Sequence, residues 1–226
     1  MTEARIRLDA VDVVRDDRRI LEGIDLDLSA RRIAVIGANG SGKSTFARLL
    51  NGLVEPTAGA VSVHGLDPQR DRHEVRRRVG FVFTDPQAQI LMPTPAEDLA
   101  LSLRGIDRGE RERRVAETLA EHGLAGHADA PASALSGGQK QLLALASVLI
   151  TAPALLVADE PTTLLDLRNA RRIGDLLLAQ AAQLVVVTHD LELATRCDAA
   201  VLFEDGGVAA VGEPAEVVAD YRRRCA

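Results

Sequence analysis

The chain has 226 residues, 46% of them hydrophobic and 27% charged, enough to bury one substantial core, and no Pro/Gly/Ser tract, internal repeat or low-complexity segment divides it. A net charge of −6 argues against a general nucleic-acid binder, because affinity for a phosphate backbone requires an excess of basic surface. The two cysteines, Cys197 and Cys225, lack CxxC spacing, so neither a disulfide framework nor a zinc site is expected and a reducing compartment fits best.

Residues 1–10 alternate charged and apolar side chains without an apolar h-region, which is not the pattern of a signal peptide. The same alternation at 6–13 and 24–28 predicts half-buried antiparallel strands joined through a polar turn at 15–19. A compact apolar strand at 33–36 ends in glycine and leads into a helix at 44–51. A buried strand is expected at 79–83, helices at 108–122 and 139–150, a strand at 155–158, a helix at 168–180 and a strand at 184–187. A late hairpin of 201–203 and 208–211 turns at Asp205, Gly206 and Gly207. The basic runs at 76–78 and 222–224 read as a solvated helix face or tail.

Residues 142–158 are almost wholly apolar and approach the ~20 residues of a membrane crossing. Pro153 breaks the run, which instead predicts a buried helix to about Ile150, a turn and a buried strand. Apolar strands alternating with helices imply an α/β fold with a mostly parallel sheet covered on both faces. The helix-rich stretch at about 86–150 interrupts that alternation and predicts a helical subdomain inserted into a single domain of residues 1–226.

Gly37-Ala38-Asn39-Gly40-Ser41-Gly42-Lys43-Ser44-Thr45 fits the phosphate-loop pattern G-x-x-x-x-G-K-[ST] and sits between a strand and a helix, the context that the pattern needs. Its glycines let backbone N–H groups curl around phosphate oxygens, and the helix N-terminus adds the positive end of its dipole. Lys43 is expected to bridge β- and γ-phosphates and Ser44 to offer its hydroxyl to Mg²⁺, making ATP and Mg²⁺ the expected cofactors. Among 27 basic residues only Lys43 and Lys140 are lysines. A compact ammonium fits a phosphate cradle where a planar guanidinium does not, so retention of Lys43 against this bias supports the reading.

The apolar segment 155–158 delivers two carboxylates at its end, Asp159 as a Mg²⁺ ligand and Glu160 as the group that polarises an attacking water. Leu135-Ser136-Gly137-Gly138-Gln139-Lys140-Gln141 supplies a second helix start suited to anions, and one nucleotide does not need two such cradles. This segment resembles the signature motif of the ABC ATPases. In that family the signature of one subunit closes on ATP held by the phosphate loop of another, which accounts for the surplus.

The resemblance extends over essentially the whole chain. Pro161-Thr162-Thr163-Leu164-Leu165-Asp166 is similar to the D-loop, and Thr188-His189-Asp190 to the switch-histidine segment, implying a γ-phosphate contact for His189. It also implies a P-loop NTPase (RecA-like) core with an antiparallel β subdomain. Two positions depart from the common pattern. Thr84 stands where a metal-contacting glutamine is usual, and no aromatic residue near 13–15 is available to stack on adenine, leaving Arg15 as a stacking candidate or a solvated turn residue.

Phe83-Thr84-Asp85-Pro86-Gln87-Ala88-Gln89-Ile90-Leu91-Met92-Pro93-Thr94 resembles the energy-coupling factor ATPases, and within them those of biotin importers, with cobalt, nickel or another vitamin as alternatives. The resemblance implies a homodimer or a pair with a similar ATPase, at the cytoplasmic face of the membrane. Its partners would be a transmembrane coupling subunit and a substrate-capturing membrane subunit, docked near Gln89 and the segment after it. No nucleic acid is expected. The rivals are a non-transport ABC ATPase, which usually carries paired cassettes or a long coiled coil, and a module that holds ATP without turnover, which Thr84 keeps open.

Overall fold

The computed structural model describes residues 4–225; residues 1–3 of the opening segment and residue 226 lie outside the described residues. Strands β1 (Ile6–Arg15) and β2 (Arg18–Leu28) pair antiparallel. They are joined by only Asp16 and Asp17, both with positive φ (49° and 58°), as a tight two-residue hairpin turn demands. The expected turn at 15–19 therefore shrinks, and Arg15 becomes the last residue of β1, opposite Arg18. A strand that the pattern did not predict, β4 (Ala58–Val63), adds to the other edge of β1 and completes a three-stranded sheet in the order β2-β1-β4.

The main sheet runs β5 (Val79–Val82), β6 (Leu155–Asp159), β7 (Gln183–Val187), β3 (Arg32–Gly37), β8 (Ala199–Glu204) and β9 (Gly207–Gly212). All neighbours are parallel except β9, the return arm of the hairpin with β8. The helices are α1 (Lys43–Leu50), α2 (Arg72–Arg78), α3 (Pro95–Ser102), α4 (Arg108–Glu121), α5 (Gly137–Leu149), α6 (Leu167–Leu178), α7 (Leu191–Thr195) and α8 (Pro214–Arg224). Between β5 and β6 the described residues form helices and loops only, over the stretch read as helix-rich. No described helix is long and apolar enough to cross a membrane.

Two apolar layers sandwich the main sheet, and the strand period of two sorts its residues between them. Ala34 and Ile36 of β3, Leu156 and Ala158 of β6, and Leu184 and Val186 of β7 face one layer, with Leu99, Leu119, Leu143 and Ile173 from the helices. Ile33, Val35, Leu155, Val157, Val185 and Val187 face the other, where Phe46, Leu49 and Leu50 of α1 meet Ile6, Leu8, Leu21 and Ile24 of the antiparallel sheet. Burial on both faces explains why these strands read as continuous apolar runs. Phe46 and Phe203, both fully buried with ring centroids 5.2 Å apart, pin α1 to β8.

An ion pair closes the far end of the central strands. Asp198 accepts from the Arg32 backbone N–H at 2.9 Å and from its guanidinium Nε and Nη2 at 3.0 and 2.8 Å, tying the start of β3 to that of β8. The Arg32 side-chain hydrogen bond holds the Asp198 carboxyl below its usual pKa. A depressed folded-state value adds stability that is present above the unfolded value of about 3.9 and lost as pH falls through the folded one. Asp198→Asn is therefore expected to cost up to about 1 kcal/mol at pH 7, because the pair is partly solvated. Urea unfolding should show the gap between variant and parent narrowing as pH falls below the unfolded value of about 3.9; a gap that does not narrow on acidification would rule out the linkage.

Candidate functional site

The chain turns sharply where β3 gives way to α1. Gly37 has φ 142°, and any Cβ there would collide with the Phe203 carbonyl oxygen of β8. Gly42, at φ 100°, precedes α1 as its N-cap; a Cβ would come within 2.5 Å of Leu21 Cδ2 and 3.0 Å of the Ile20 carbonyl. With glycine at the cap, no side chain among the described residues caps the N–H groups of the first turn of α1, which carry the positive end of the helix.

Lys43 enters α1 almost wholly buried, 5% exposed, and its Nζ donates to the carbonyls of Gly37 at 2.9 Å and Ala38 at 2.7 Å. Two of its three protons are thus bound, leaving one donor free. Burial lowers its pKa, against the opposing pull of the Glu160 and Asp159 carboxylates. Ser44 Oγ donates to Asp159 Oδ1 at 2.8 Å, and Arg48 Nη2 lies 3.8 Å from Asp159 Oδ2. Asp159, at the end of β6, is 1% exposed.

Glu160 follows in the left-handed region, φ 53°, a conformation that a non-glycine residue adopts only when its surroundings enforce it. Its backbone N–H donates to the Val187 carbonyl at 3.0 Å. Thr163 Oγ1 donates to Glu160 Oε2 at 3.2 Å. His189 Nε2 lies 3.0 Å from Oε1 without the alignment of a hydrogen bond, and this buried oxygen has no hydrogen-bond partner among the described residues. A cleft of about 440 Å³ joins these groups, lined by Ile20, Asn39, Gly40, Gly42, Lys43, Ser44, Thr45, Thr84, Glu160, Thr163 and His189.

The donor set beside this cleft, a hydroxyl and a carboxylate 2.8 Å apart, is hard oxygen chemistry that suits Mg²⁺. No group of three or more His, Cys, Asp or Glu able to hold a metal occurs among the described residues. A Mg²⁺ ion here would complete its shell with water and substrate phosphates, its usual arrangement.

Other expected site residues lie elsewhere. Ser136, Gly137, Gly138 and Gln139 open α5 and none lines the cleft. Ser136 and Gln139 cap that helix reciprocally, Gln139 N–H to Ser136 Oγ at 3.3 Å and Ser136 N–H to Gln139 Oε1 at 2.8 Å, while Gln139 Nε2 donates to His127 Nε2 at 2.9 Å. Asp166 caps α6. Arg15 is exposed and does not line the cleft, whereas Ile20 does. Gln89, read as part of a docking surface, turns its amide inward, accepting from Phe83 N–H at 3.1 Å and donating to the Ala144 carbonyl at 2.8 Å. Thr84 lines the cleft and donates to the Asp159 carbonyl at 2.9 Å. Thr163 and Ile20 were not singled out from sequence. Thr163 stands three residues after Glu160, a usable clue, but the position of Ile20 depends on the β1–β2 register, which no motif encodes.

The sequence model of the ABC transporter family matches residues 21–163. An ABC transporter ATP-binding protein of Deinococcus radiodurans, whose name gives no solute, is 47% identical over 211 residues, 92% of this chain and 93% of its own. The biotin transport ATP-binding protein BioM of Rhizobium etli is 43% identical over 219 residues, 96% of this chain and 97% of its own. Among solved structures, cbiO1 from Clostridium perfringens, part of the ABC transporter complex cbiONQ, superposes with a TM-score of 0.84 at 28% identity, covering 97% of this chain and 92% of that one. A dimeric ATP-binding cassette in a post-hydrolysis state with ADP and phosphate gives 0.79 at 29%, covering 92% and 98%. The sheet topology, the glycine-lined cleft and these likenesses along nearly the full chain agree: the protein belongs to the ABC transporter family, as one of its ATP-binding, ATP-hydrolysing subunits.

Proposed function

We propose that the chain energises an importer of the energy-coupling factor type, with biotin as the solute. The observation that carries the ATPase part is the cleft itself, where a buried lysine, a hydroxyl–carboxylate pair at its side and a carboxylate whose buried oxygen faces His189 at 3.0 Å meet at a helix start without a side-chain cap. Lys43 would exchange the Gly37 and Ala38 carbonyls for β- and γ-phosphate oxygens, and the N–H groups of Gly37, Asn39, Gly40, Ser41, Gly42 and Thr45 would cradle the same phosphates. Ser44 and Asp159 would hold Mg²⁺, which neutralises phosphate charge when bound with ATP. Glu160 Oε1 would accept a proton from the attacking water, with His189 beside the γ-phosphate.

The signature residues 136–139 lie outside this cleft, which supports a dimer in which they close on the ATP of a second copy or of a similar ATPase. The likeness to the dimeric cassette supports the same reading. Residues 86–150 are read as a helical subdomain. A groove of about 510 Å³ between Ile90–Pro93 and Pro131–Ser133, with Leu91 71% exposed and Lys140 at its edge, is the proposed seat of a transmembrane coupling subunit. Solute capture would fall to a separate membrane protein, with this chain peripheral on the cytoplasmic face. Biotin is favoured by the likeness to the R. etli protein; an importer of cobalt, nickel or another vitamin is the second reading.

Removing the Lys43 ammonium takes away a charge-assisted phosphate contact worth ~1.5 to 3 kcal/mol, so Lys43→Ala is expected to lose at least about tenfold in affinity for a fluorescent ATP analogue. Unchanged affinity would show that Lys43 does not hold phosphate. Glu160→Gln keeps the size and hydrogen bonding of the side chain but removes its basicity. Phosphate release should fall about 10² to 10⁴-fold while ATP-driven dimerisation, read by sedimentation, persists. A monomer at saturating ATP, or turnover at the parent rate, would refute the role given to Glu160. For the solute, disruption of the gene should abolish uptake of labelled biotin at low external concentration; normal biotin uptake with loss of cobalt or nickel uptake would favour the second reading.

A further inference from the structure

The first turns of α5 and α6 come together at Asn169. Asn169 donates its backbone N–H to Asp166 Oδ1 at 2.8 Å, the ordinary bond of a helix cap. It adds a second bond, from side-chain Nδ2 to Asp166 Oδ2 at 2.7 Å, which fixes the amide group in one orientation. Both oxygens of Asp166 are engaged by this residue, and the carboxyl is held below its usual pKa chiefly by the backbone bond.

The other side of that amide lies against Gly138. A Cβ built on Gly138 would fall 2.8 Å from Asn169 Cγ, 2.9 Å from Nδ2 and 3.0 Å from Oδ1, so the amide occupies the space of the missing side chain. Gly137 next to it has open space where a Cβ would go. Two adjacent glycines thus have different reasons to be glycine, and only Gly138 is keyed to another helix. One turn further along the same face of α6, Arg172 Nη2 donates to the His122 carbonyl at the end of α4 at 2.9 Å. The α6 face at 169 and 172 is the seam between this helix and the helix-rich stretch 86–150.

We propose that Asn169 is a positioning residue that locks the signature start at Gly138 to the D-loop at Asp166, so that the two segments move as one body. The D-loop reaches Glu160 through the Thr163 hydroxyl. A shift of the signature onto a second subunit's nucleotide is then transmitted within the same chain, through Asn169 and residues 163–166, to its own Glu160. This rests on the dimeric reading above, and the lock itself is a property of one chain. Asn169 touches no nucleotide in this scheme and acts only through its neighbours.

The test is a mutant cycle in the full-length chain. Asn169→Ala should leave affinity of the monomer for a fluorescent ATP analogue within about twofold, yet lower kcat for phosphate release about tenfold or more, since misplacing a group far from the chemistry has effects of that order. Gly138→Ala should be nearly inactive through collision with the amide. Adding Asn169→Ala to Gly138→Ala should restore part of the lost kcat by making room for the new methyl, a non-additive result expected only of groups in contact. Asn169→Ser, smaller and still able to hydrogen-bond Asp166, serves if Asn169→Ala does not fold. A parental kcat in Asn169→Ala or its serine counterpart, or a double variant no more active than Gly138→Ala, would overturn the proposal. Glu160→Gln is run beside them: if it fails to dimerise with ATP, the sandwich reading falls, while restoration in the cycle still reports on the lock.

Discussion

The molecule depends on how closely β8 approaches β3 at Gly37. The Phe203 carbonyl occupies the space where any side chain at residue 37 would go, and Phe203 itself stacks on Phe46 of α1. The strand, the loop and the helix that follow are thereby fixed against the sheet by backbone packing, not by a flexible side chain. From that junction a relay of backbone bonds runs sideways, Thr188 N–H to the Val35 carbonyl and Glu160 N–H to the Val187 carbonyl, each at 3.0 Å. Parallel strands end at a common edge, so Lys43, Asp159, Glu160 and His189, far apart in sequence, arrive together there.

Much of this was legible because the main strands are buried on both faces and therefore apolar without interruption. The phosphate-loop pattern was readable for a related reason, since its glycines answer to hard steric limits at Gly37 and Gly42 that no other residue meets. What escaped was controlled by pairing register and by side-chain direction. β4 reads Ala-Gly-Ala-Val-Ser-Val, with burial concentrated in Val61 and Val63, too short a signal to mark a strand. Ile20 reaches the cleft and Arg15 does not, because the hairpin turn is two residues long, a detail of two aspartates with positive φ that periodicity does not encode. Gln89, expected on the docking surface, turns its amide to the Phe83 N–H and the Ala144 carbonyl, a side-chain direction that no motif encodes.

The distribution of charge follows the same logic. Nearly all of the basic residues are arginines, and several pair with acids one turn away on the same helix, as Arg108 does with Glu112 and Arg113 with Glu110 and Glu117. Such pairs contribute little each. The buried charges behave otherwise: Lys43 and Asp159 are removed from water and compensated by carbonyls and a hydroxyl. Glu160, the third charge of this group, keeps one buried oxygen that has no hydrogen bond among the described residues, with His189 Nε2 3.0 Å away. Desolvated groups of this kind are costly to maintain unless something else requires them, and these three lie in or beside the cleft where the proposed chemistry fits, whereas buried Asp98 is satisfied away from it by the Leu91 and Met92 N–H groups.

The two carbonyl bonds of Lys43 have a consequence for the working cycle. An ammonium withdrawn from water without acceptors would either repel its surroundings or give up its proton. Here the loop's own oxygens at Gly37 and Ala38 accept from it, so the charge is satisfied within the loop that carries it. On the proposed reading, departure of spent nucleotide returns the lysine to a seat already prepared, and the next ATP meets a preformed receptor instead of a loop that must fold around it. Reloading then has a low ordering cost, and the binding energy of ATP is left available for drawing two subunits together.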